Sequence, residues 1–187
     1  KTDDYFFMDV IFGKQRSVEM GRGTSGVEFR VFPEGLRRAL GEFTASGRSL
    51  FVSGSFIATD PWRSPASMDE ERAFVKSVLR YDYRGGQASR RGEARIVASP
   101  ARMDRERFYF NTEPCRDFYP VEAPDALRPV GGGFIVMRYD DGDQTAAVGY
   151  TGDYRSLAMG FPFEAIVDEG QRDRLMQQIM NFLEPRK

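Results

Sequence analysis

The pattern of apolar and polar positions divides this chain into short segments, of which the most apolar is the run at 50–52 (Leu-Phe-Val). That run stops at Ser-Gly-Ser in 53–55, and an apolar run bounded by turn residues predicts a strand buried on both faces of a sheet. Apolar residues at helical spacing in 33–46 predict a helix just before it, with a proline at its start and a glycine after its end. Another apolar run at 5–12 predicts a central strand, so the order strand, helix, strand indicates a right-handed βαβ unit.

The second half of the chain predicts shorter strands, which are 93–99, 107–111, 134–139, 145–150 and 156–160. An Asp-Asp-Gly-Asp turn between two of them favours a hairpin. Polar stretches at 80–92 and 112–129 predict loops, and Asp168 with Gln171 predicts the start of a closing helix. We therefore expect an α/β fold with a mostly parallel sheet and an antiparallel region at 93–111 or 134–150.

Composition narrows the class of protein. The chain has 187 residues, enough for a substantial core, and we expect residues 1–187 to form one domain. Its 27 basic and 28 acidic residues nearly cancel, which argues against a nucleic-acid partner. No apolar run approaches the ~20 residues that a membrane span needs. The chain has no histidine and a single cysteine, so neither Ser-His-Asp nor Cys-His catalysis can be completed within it.

Five segments carry a family resemblance: Asp9-Val-Ile-Phe-Gly-Lys-Gln15, Leu50-Phe-Val-Ser-Gly-Ser55 with Asp60, Ala147-Val-Gly-Tyr150, Met159-Gly-Phe-Pro-Phe-Glu164 and Phe182-Leu183. Their order and spacing resemble the class I glutamine-amidotransferase-like domain of large secreted Bacteroidetes proteins that are often labelled xanthan-lyase-like. The resemblance implies a flavodoxin-like, three-layer αβα sandwich in a secreted, periplasmic or cell-surface protein. It further implies neighbouring domains of a parent chain as partners, carbohydrate as a ligand, and a first βα unit upstream of residue 1.

The same resemblance bears on activity. Active amidotransferases of this class have a cysteine at the turn after the strand, and a histidine and a glutamate late in the chain. Here the turn reads Ser53-Gly54-Ser55-Phe56, and of the two late residues only Glu164 is retained. We therefore expect no amidotransferase activity, and no cofactor or resident metal.

Ser55, Asp60 and Glu164 are the candidate catalytic residues. Ser55 could act as a nucleophile only with a lysine or a carboxylate as its base, whereas a serine after a strand more often bonds to backbone groups. Asp9, Asp60 and Glu164 are all expected near the carboxyl ends of strands. There they could form an acid–base pair or bind a hard cation such as Ca²⁺.

A simpler alternative exists for two of these carboxylates. Asp9 and Glu164 could cap loops or pair with Lys14 and Arg155, without any role in chemistry.

Asp9, Gly54, Trp62 and Tyr83 are the candidate ligand-binding residues. Gly54 follows the buried strand at the end where α/β sheets bind ligands. Aromatic faces beside polar groups suit sugar rings, but they equally suit a lid over the core or a contact with a neighbouring domain.

Three functions remain open from the sequence. The favoured one is a non-catalytic amidotransferase-like module, structural or ligand-binding, in a secreted carbohydrate-related protein. The alternative is a hydrolase or lyase that acts on polysaccharide or peptidoglycan through its carboxylates and Ser55. The third is a regulatory domain that binds a small ligand.

Overall fold

The structure is a computed structural model that describes residues 5–19, 26–63 and 68–184. Eleven strands are present in these residues: β1 (Phe7–Gly13), β2 (Val18–Glu19), β3 (Val27–Glu28), β4 (Ser49–Gly54), β5 (Tyr81–Gly85), β6 (Glu93–Ile96), β7 (Arg107–Tyr109), β8 (Ala126–Pro129), β9 (Phe134–Tyr139), β10 (Thr145–Thr151) and β11 (Arg155–Met159). Seven of them form one sheet in the order β1-β4-β11-β10-β9-β6-β7. The expectation of an α/β fold is confirmed.

The prediction of a mostly parallel sheet is wrong. Only the β1–β4 and β4–β11 pairs are parallel, whereas the four pairs from β11 through β10, β9 and β6 to β7 are antiparallel. The physical reason is connection length, because β9, β10 and β11 follow one another after a few residues and such links cannot make a parallel crossover. The sequence placed the antiparallel region at either 93–111 or 134–150, and both segments belong to it.

Strand β4 lies inside the sheet, and all six of its residues are buried. Its side chains alternate between two cores: Phe51 packs in one, and Leu50 and Val52 pack in the other. This explains the unbroken apolar run, since both faces of the strand are covered.

Strand β1 is an edge strand, and the prediction of a central strand at 5–12 is wrong. Its neighbour is β4 on one side only, and Asp9 and Ile11 are exposed. The acidic residue that interrupts the apolar run is the sequence signal for this position, since charged residues on an edge strand are well solvated.

Four α-helices accompany the sheet: α1 (Glu34–Ala45), α2 (Thr59–Arg63), α3 (Asp69–Phe74) and α4 (Glu169–Leu183). Leu40 of α1 belongs to the core that contains Leu50 and Val52, whereas Leu175 and Ile179 of α4 belong to the core that contains Phe51. Helices α1 and α4 therefore cover different faces of the sheet. The predicted cap of α4 is confirmed, because the Asp168 carboxylate accepts a hydrogen bond from the Gln171 amide at 2.7 Å.

Two short strands were missed in the segments predicted as loops. Strands β5 and β8 pair antiparallel, with Tyr81 opposite Pro129 and Tyr83 opposite Leu127. A π-helical turn at Val75–Leu79 joins α3 to β5. None of the helices in 5–19, 26–63 and 68–184 is long and apolar enough to cross a membrane.

Candidate functional site

The turn after β4 is tightly packed. A Cβ placed on Gly54 would lie 2.9 Å from the Phe12 Cβ and 3.1 Å from the Ile57 Cγ2. Real Cβ atoms essentially never show contacts under 3.0 Å, so glycine is required here by packing between β1 and the turn before α2. Protein atoms, rather than an open approach for a ligand, therefore fill the space beside Gly54.

Ser55 is enclosed at the same turn. Its side chain is 1% exposed, and its hydroxyl has no hydrogen-bond partner in the described part of the chain. The Ser55 amide donates to the Gly13 carbonyl at 2.9 Å, and the Ser53 hydroxyl accepts from the Phe163 amide at 3.4 Å. A nucleophile needs a base within hydrogen-bond reach and access for a substrate. The geometry at Ser55 offers neither.

Asp60 anchors a loop. This carboxylate is buried and accepts hydrogen bonds from the Ser17 amide at 2.7 Å, from the Ser17 hydroxyl at 2.8 Å and from the Val31 amide at 3.3 Å. It thus ties two separate segments of the chain to the first turn of α2, and its oxygens are occupied by these donors.

Asp9 and Glu164 lie close enough at the open edge of β1 for their charges to interact. Glu164 lies in a 3-10 turn at Phe163–Ala165, and a Cβ on Gly13 would lie only 3.2 Å from its Oε1. Part of the Asp9 side chain meets solvent, yet partial burial and, to a smaller extent, the charge of Glu164 raise the pKa of Asp9 to about 6. Asp9 therefore keeps its proton to a higher pH than a solvated aspartate does.

Tyr119 completes this cluster. Its phenol donates to Glu164 Oε1 at 2.5 Å, and burial together with that hydrogen bond raises the pKa of Tyr119 above its usual range. The other oxygen of Glu164 is buried and has no partner in the described residues. The expected partners are engaged elsewhere: Lys14 pairs with Glu122 at 3.2 Å, and Arg155 donates to backbone carbonyls near the end of α4.

Asp9 can hold a proton near pH 6, and the Tyr119 phenol shares its proton with Glu164 through a hydrogen bond. A carboxyl with a pKa near 6 is suited to acid–base chemistry near neutral pH. This cluster is less suited to a metal. No group of three or more His, Cys, Asp or Glu side chains within 5–19, 26–63 and 68–184 could hold one.

Trp62 and Tyr83 also come together, on the side of the molecule that carries α2 and β5. Their rings are stacked with centroids 6.4 Å apart and an angle of 22°, and the Lys76 ammonium lies 5.6 Å from the Trp62 centroid. Both side chains are half-buried and pack against the core that contains Leu50. The pair therefore presents a partly exposed aromatic surface beside a cation.

Asp125 is a buried acidic residue that sequence reasoning missed. Its side chain is fully buried and accepts from the Ala58 amide at 2.6 Å, from the Thr59 amide at 3.0 Å and from the Thr59 hydroxyl. Burial raises the pKa of Asp125 to about 8. The available signal was an acidic residue inside the mostly apolar stretch 121–127.

No protein family and no curated protein matches the sequence. Among solved structures, the N-terminal domain of mmIFT52 matches 81% of this chain and 72% of its own, with a TM-score of 0.50 and 11% identity. The exo-β-1,4-mannosidase Op5Man5 from Opitutaceae bacterium strain TAV5 matches 82% of this chain with a TM-score of 0.46 and 13% identity. This chain spans only 24% of the mannosidase. The likeness to the mmIFT52 domain is one of fold alone.

Proposed function

We propose that this chain is a non-catalytic amidotransferase-like module that serves as a structural or ligand-binding part of a secreted, carbohydrate-related protein. The observation that carries the proposal is the closed turn after β4, where Ser55 is 1% exposed and its hydroxyl contacts no base among the described residues. The absence of histidine from the sequence points the same way. In this proposal the scaffold is a three-layer αβα arrangement around the mixed sheet, and neighbouring domains of the parent chain pack against it.

The stacked Trp62–Tyr83 pair is the ligand surface in this proposal. Aromatic faces bind the apolar faces of sugar rings, and the Lys76 ammonium beside them could bond to sugar hydroxyls. Trp62 is the only tryptophan in the chain, so its fluorescence reports directly on this surface.

The test is a titration with soluble polysaccharides and peptidoglycan fragments, followed by Trp62 fluorescence and calorimetry. We expect binding to at least one polymer, and roughly tenfold weaker calorimetric binding after Tyr83→Ala, because stacking on one ring contributes about 1 kcal/mol or more. Tyr109→Ala is the matched control, since Tyr109 is an exposed aromatic residue on β7. The ligand-binding form of the proposal fails if no polymer binds, or if both variants bind like the parent protein.

A second function is favoured by one observation, the raised pKa of Asp9 beside Glu164. A hydrolase or lyase acting on polysaccharide or peptidoglycan would use Asp9 as its general acid or base, with Glu164 held by Tyr119. Release of reducing ends or of unsaturated sugars, lost in Asp9→Asn and kept in Glu122→Gln, would establish this alternative and overturn the non-catalytic proposal. Under the favoured proposal neither product forms, and no ammonia is released from glutamine.

A further inference from the structure

Three arginines stand side by side across the last strands of the large sheet. Arg107 of β7 is opposite Arg95 of β6, and Arg95 is in turn opposite Arg138 of β9. The neighbouring positions Ala94 and Phe108 are buried, so the arginines lie on the other face of these strands. Like charges directly opposite each other are destabilising, so this row needs a compensating group.

Two carboxylates hold the row in place. Asp140 forms ion pairs with both Arg95 and Arg107, and Asp143 forms ion pairs with both Arg95 and Arg138. The side chain of Asp140 is only 13% exposed, so it is well placed to fix the two guanidinium groups that it bridges. The arginines are therefore positioned before any ligand arrives.

A cleft of about 470 Å³ opens beside this row, at the end of the hairpin formed by β6 and β7. Arg95, Arg105 and Arg107 line it together with Glu106, and Val97 and Ala98 contribute an apolar wall. Its volume is in the range of small-molecule sites. We call this space the arginine cleft.

Arg105, and in part Arg107, remain available to a ligand in the arginine cleft. Glu106, the carboxylate among these lining residues, is already paired with Arg174 at 2.8 Å. In the part of the chain that the structure describes, no hydrogen bond or ion pair occupies the Arg105 guanidinium, and Arg107 uses only its Nε toward Asp140. Guanidinium groups present paired N–H donors that match carboxylate and phosphate oxygens.

We propose that the arginine cleft binds a small organic anion, with its carboxylate or phosphate group on Arg105 and Arg107 and its carbon skeleton against the wall of Val97 and Ala98. In strand order the arginine cleft lies at the opposite end of the sheet from Asp9. The proposal does not depend on the Trp62–Tyr83 surface or on the function proposed above.

The experiment is calorimetric titration of the chain at low ionic strength with glucuronate, glucose 6-phosphate and neutral glucose. We expect at least one of the two anions to bind roughly tenfold or more tightly than glucose, since a hydrogen bond between charged groups is worth that factor. The anion that binds tells a carboxylate site from a phosphate site.

The decisive variant is Arg105→Gln, because Arg105 is exposed and its replacement should leave the fold intact. We expect it to weaken anion binding roughly tenfold, whereas Arg84→Gln, an exposed arginine on β5, should leave it unchanged. Thermal unfolding of both variants checks that the fold is kept. The proposal is overturned if neither anion binds, if glucose binds as tightly as the anions, or if Arg105→Gln binds them as tightly as the parent protein.

Discussion

At the residue scale, Gly54 shows why the turn after β4 is closed. Its neighbours Phe12 and Ile57 would lie 2.9 and 3.1 Å from an added Cβ, closer than carbon atoms pack. We expect Gly54→Ala to lower the free energy of unfolding by about 1–3 kcal/mol, because overpacking displaces both neighbours. Urea unfolding followed by circular dichroism measures this change.

Gly41 provides the control for this prediction. It lies inside α1, and an added Cβ there meets nothing within 4 Å. Gly41→Ala should therefore be neutral or stabilising by up to about 1 kcal/mol, because alanine is the better helix former. A neutral Gly54→Ala variant would show that the turn is looser than described.

The role of a residue could be predicted from the sequence only where its partners are close to it in the chain. The Asp168 cap depends on neighbours within one helical turn, and its prediction is confirmed. Asp9 and Glu164 were expected at the same end of the sheet, but how close they lie depends on how β1 and the segment after β11 meet, which neither local sequence decides. Asp125 was missed for the same reason, since its donors Ala58 and Thr59 are more than 60 positions away in the chain.

At the scale of elements, the carboxylate of Asp60 joins α2 to the segments that contain Ser17 and Val31. We expect Asp60→Ala to destabilise the protein by about 1–3 kcal/mol and to speed hydrogen exchange of the Ser17 and Val31 amides, because their acceptor is lost. Hydrogen exchange followed by nuclear magnetic resonance measures both effects residue by residue.

Ser17→Ala is the graded control for Asp60→Ala. It removes one of the three donors to Asp60 and keeps both amide bonds, so we expect a smaller loss of stability and little change in exchange at Val31. Unchanged exchange of both amides in Asp60→Ala would mean that other contacts hold these segments.

Individual elements were predicted well where their signals are local. The strand at 134–139 has the predicted bounds, and α1 differs from its prediction by one residue at each end. Strands β5 and β8 were missed because their residues alternate poorly and their pairing joins distant parts of the chain. A strand is recognised in a sequence by the alternation of apolar and polar residues, so a short strand without regular alternation is easily missed.

At the scale of the whole molecule, the direction of the sheet was the main error. The sequence predicted an antiparallel region only at 93–111 or 134–150 within a mostly parallel sheet, although β9, β10 and β11 are joined by short turns and each pairs antiparallel with the next. Short connections require antiparallel neighbours, so this part of the topology was available from the sequence. The pairing of β11 with β4 could not be predicted from the sequence, because it joins two strands that are far apart in the chain.

The stability of the whole molecule should fall as the pH rises. Burial raises the pKa of Asp125 to about 8 and partial burial raises the pKa of Asp9 to about 6, whereas an aspartate in an unfolded chain has a pKa of about 3.9. The folded state therefore binds more protons than the unfolded state between these values, and the free energy of unfolding decreases with pH. At pH ~6 Asp9 is already half ionised in the folded state, so most of the remaining decrease up to pH ~8 belongs to Asp125.

Asp125→Asn tests this assignment. An asparagine can accept the Ala58 and Thr59 amide hydrogen bonds and donate to the Thr59 hydroxyl without ever becoming charged. We expect urea unfolding of the parent protein to give a loss on the order of a few kcal/mol between pH ~6 and ~8, and Asp125→Asn to show no such slope. In Asp9→Asn the free energy of unfolding should still fall between pH ~6 and ~8, and only its decrease below pH ~6 should become smaller. A parent protein that gains stability across the range, or an Asp125→Asn variant that retains the slope, would mean that the buried carboxyl is already ionised at pH 6 and is held by its three donors.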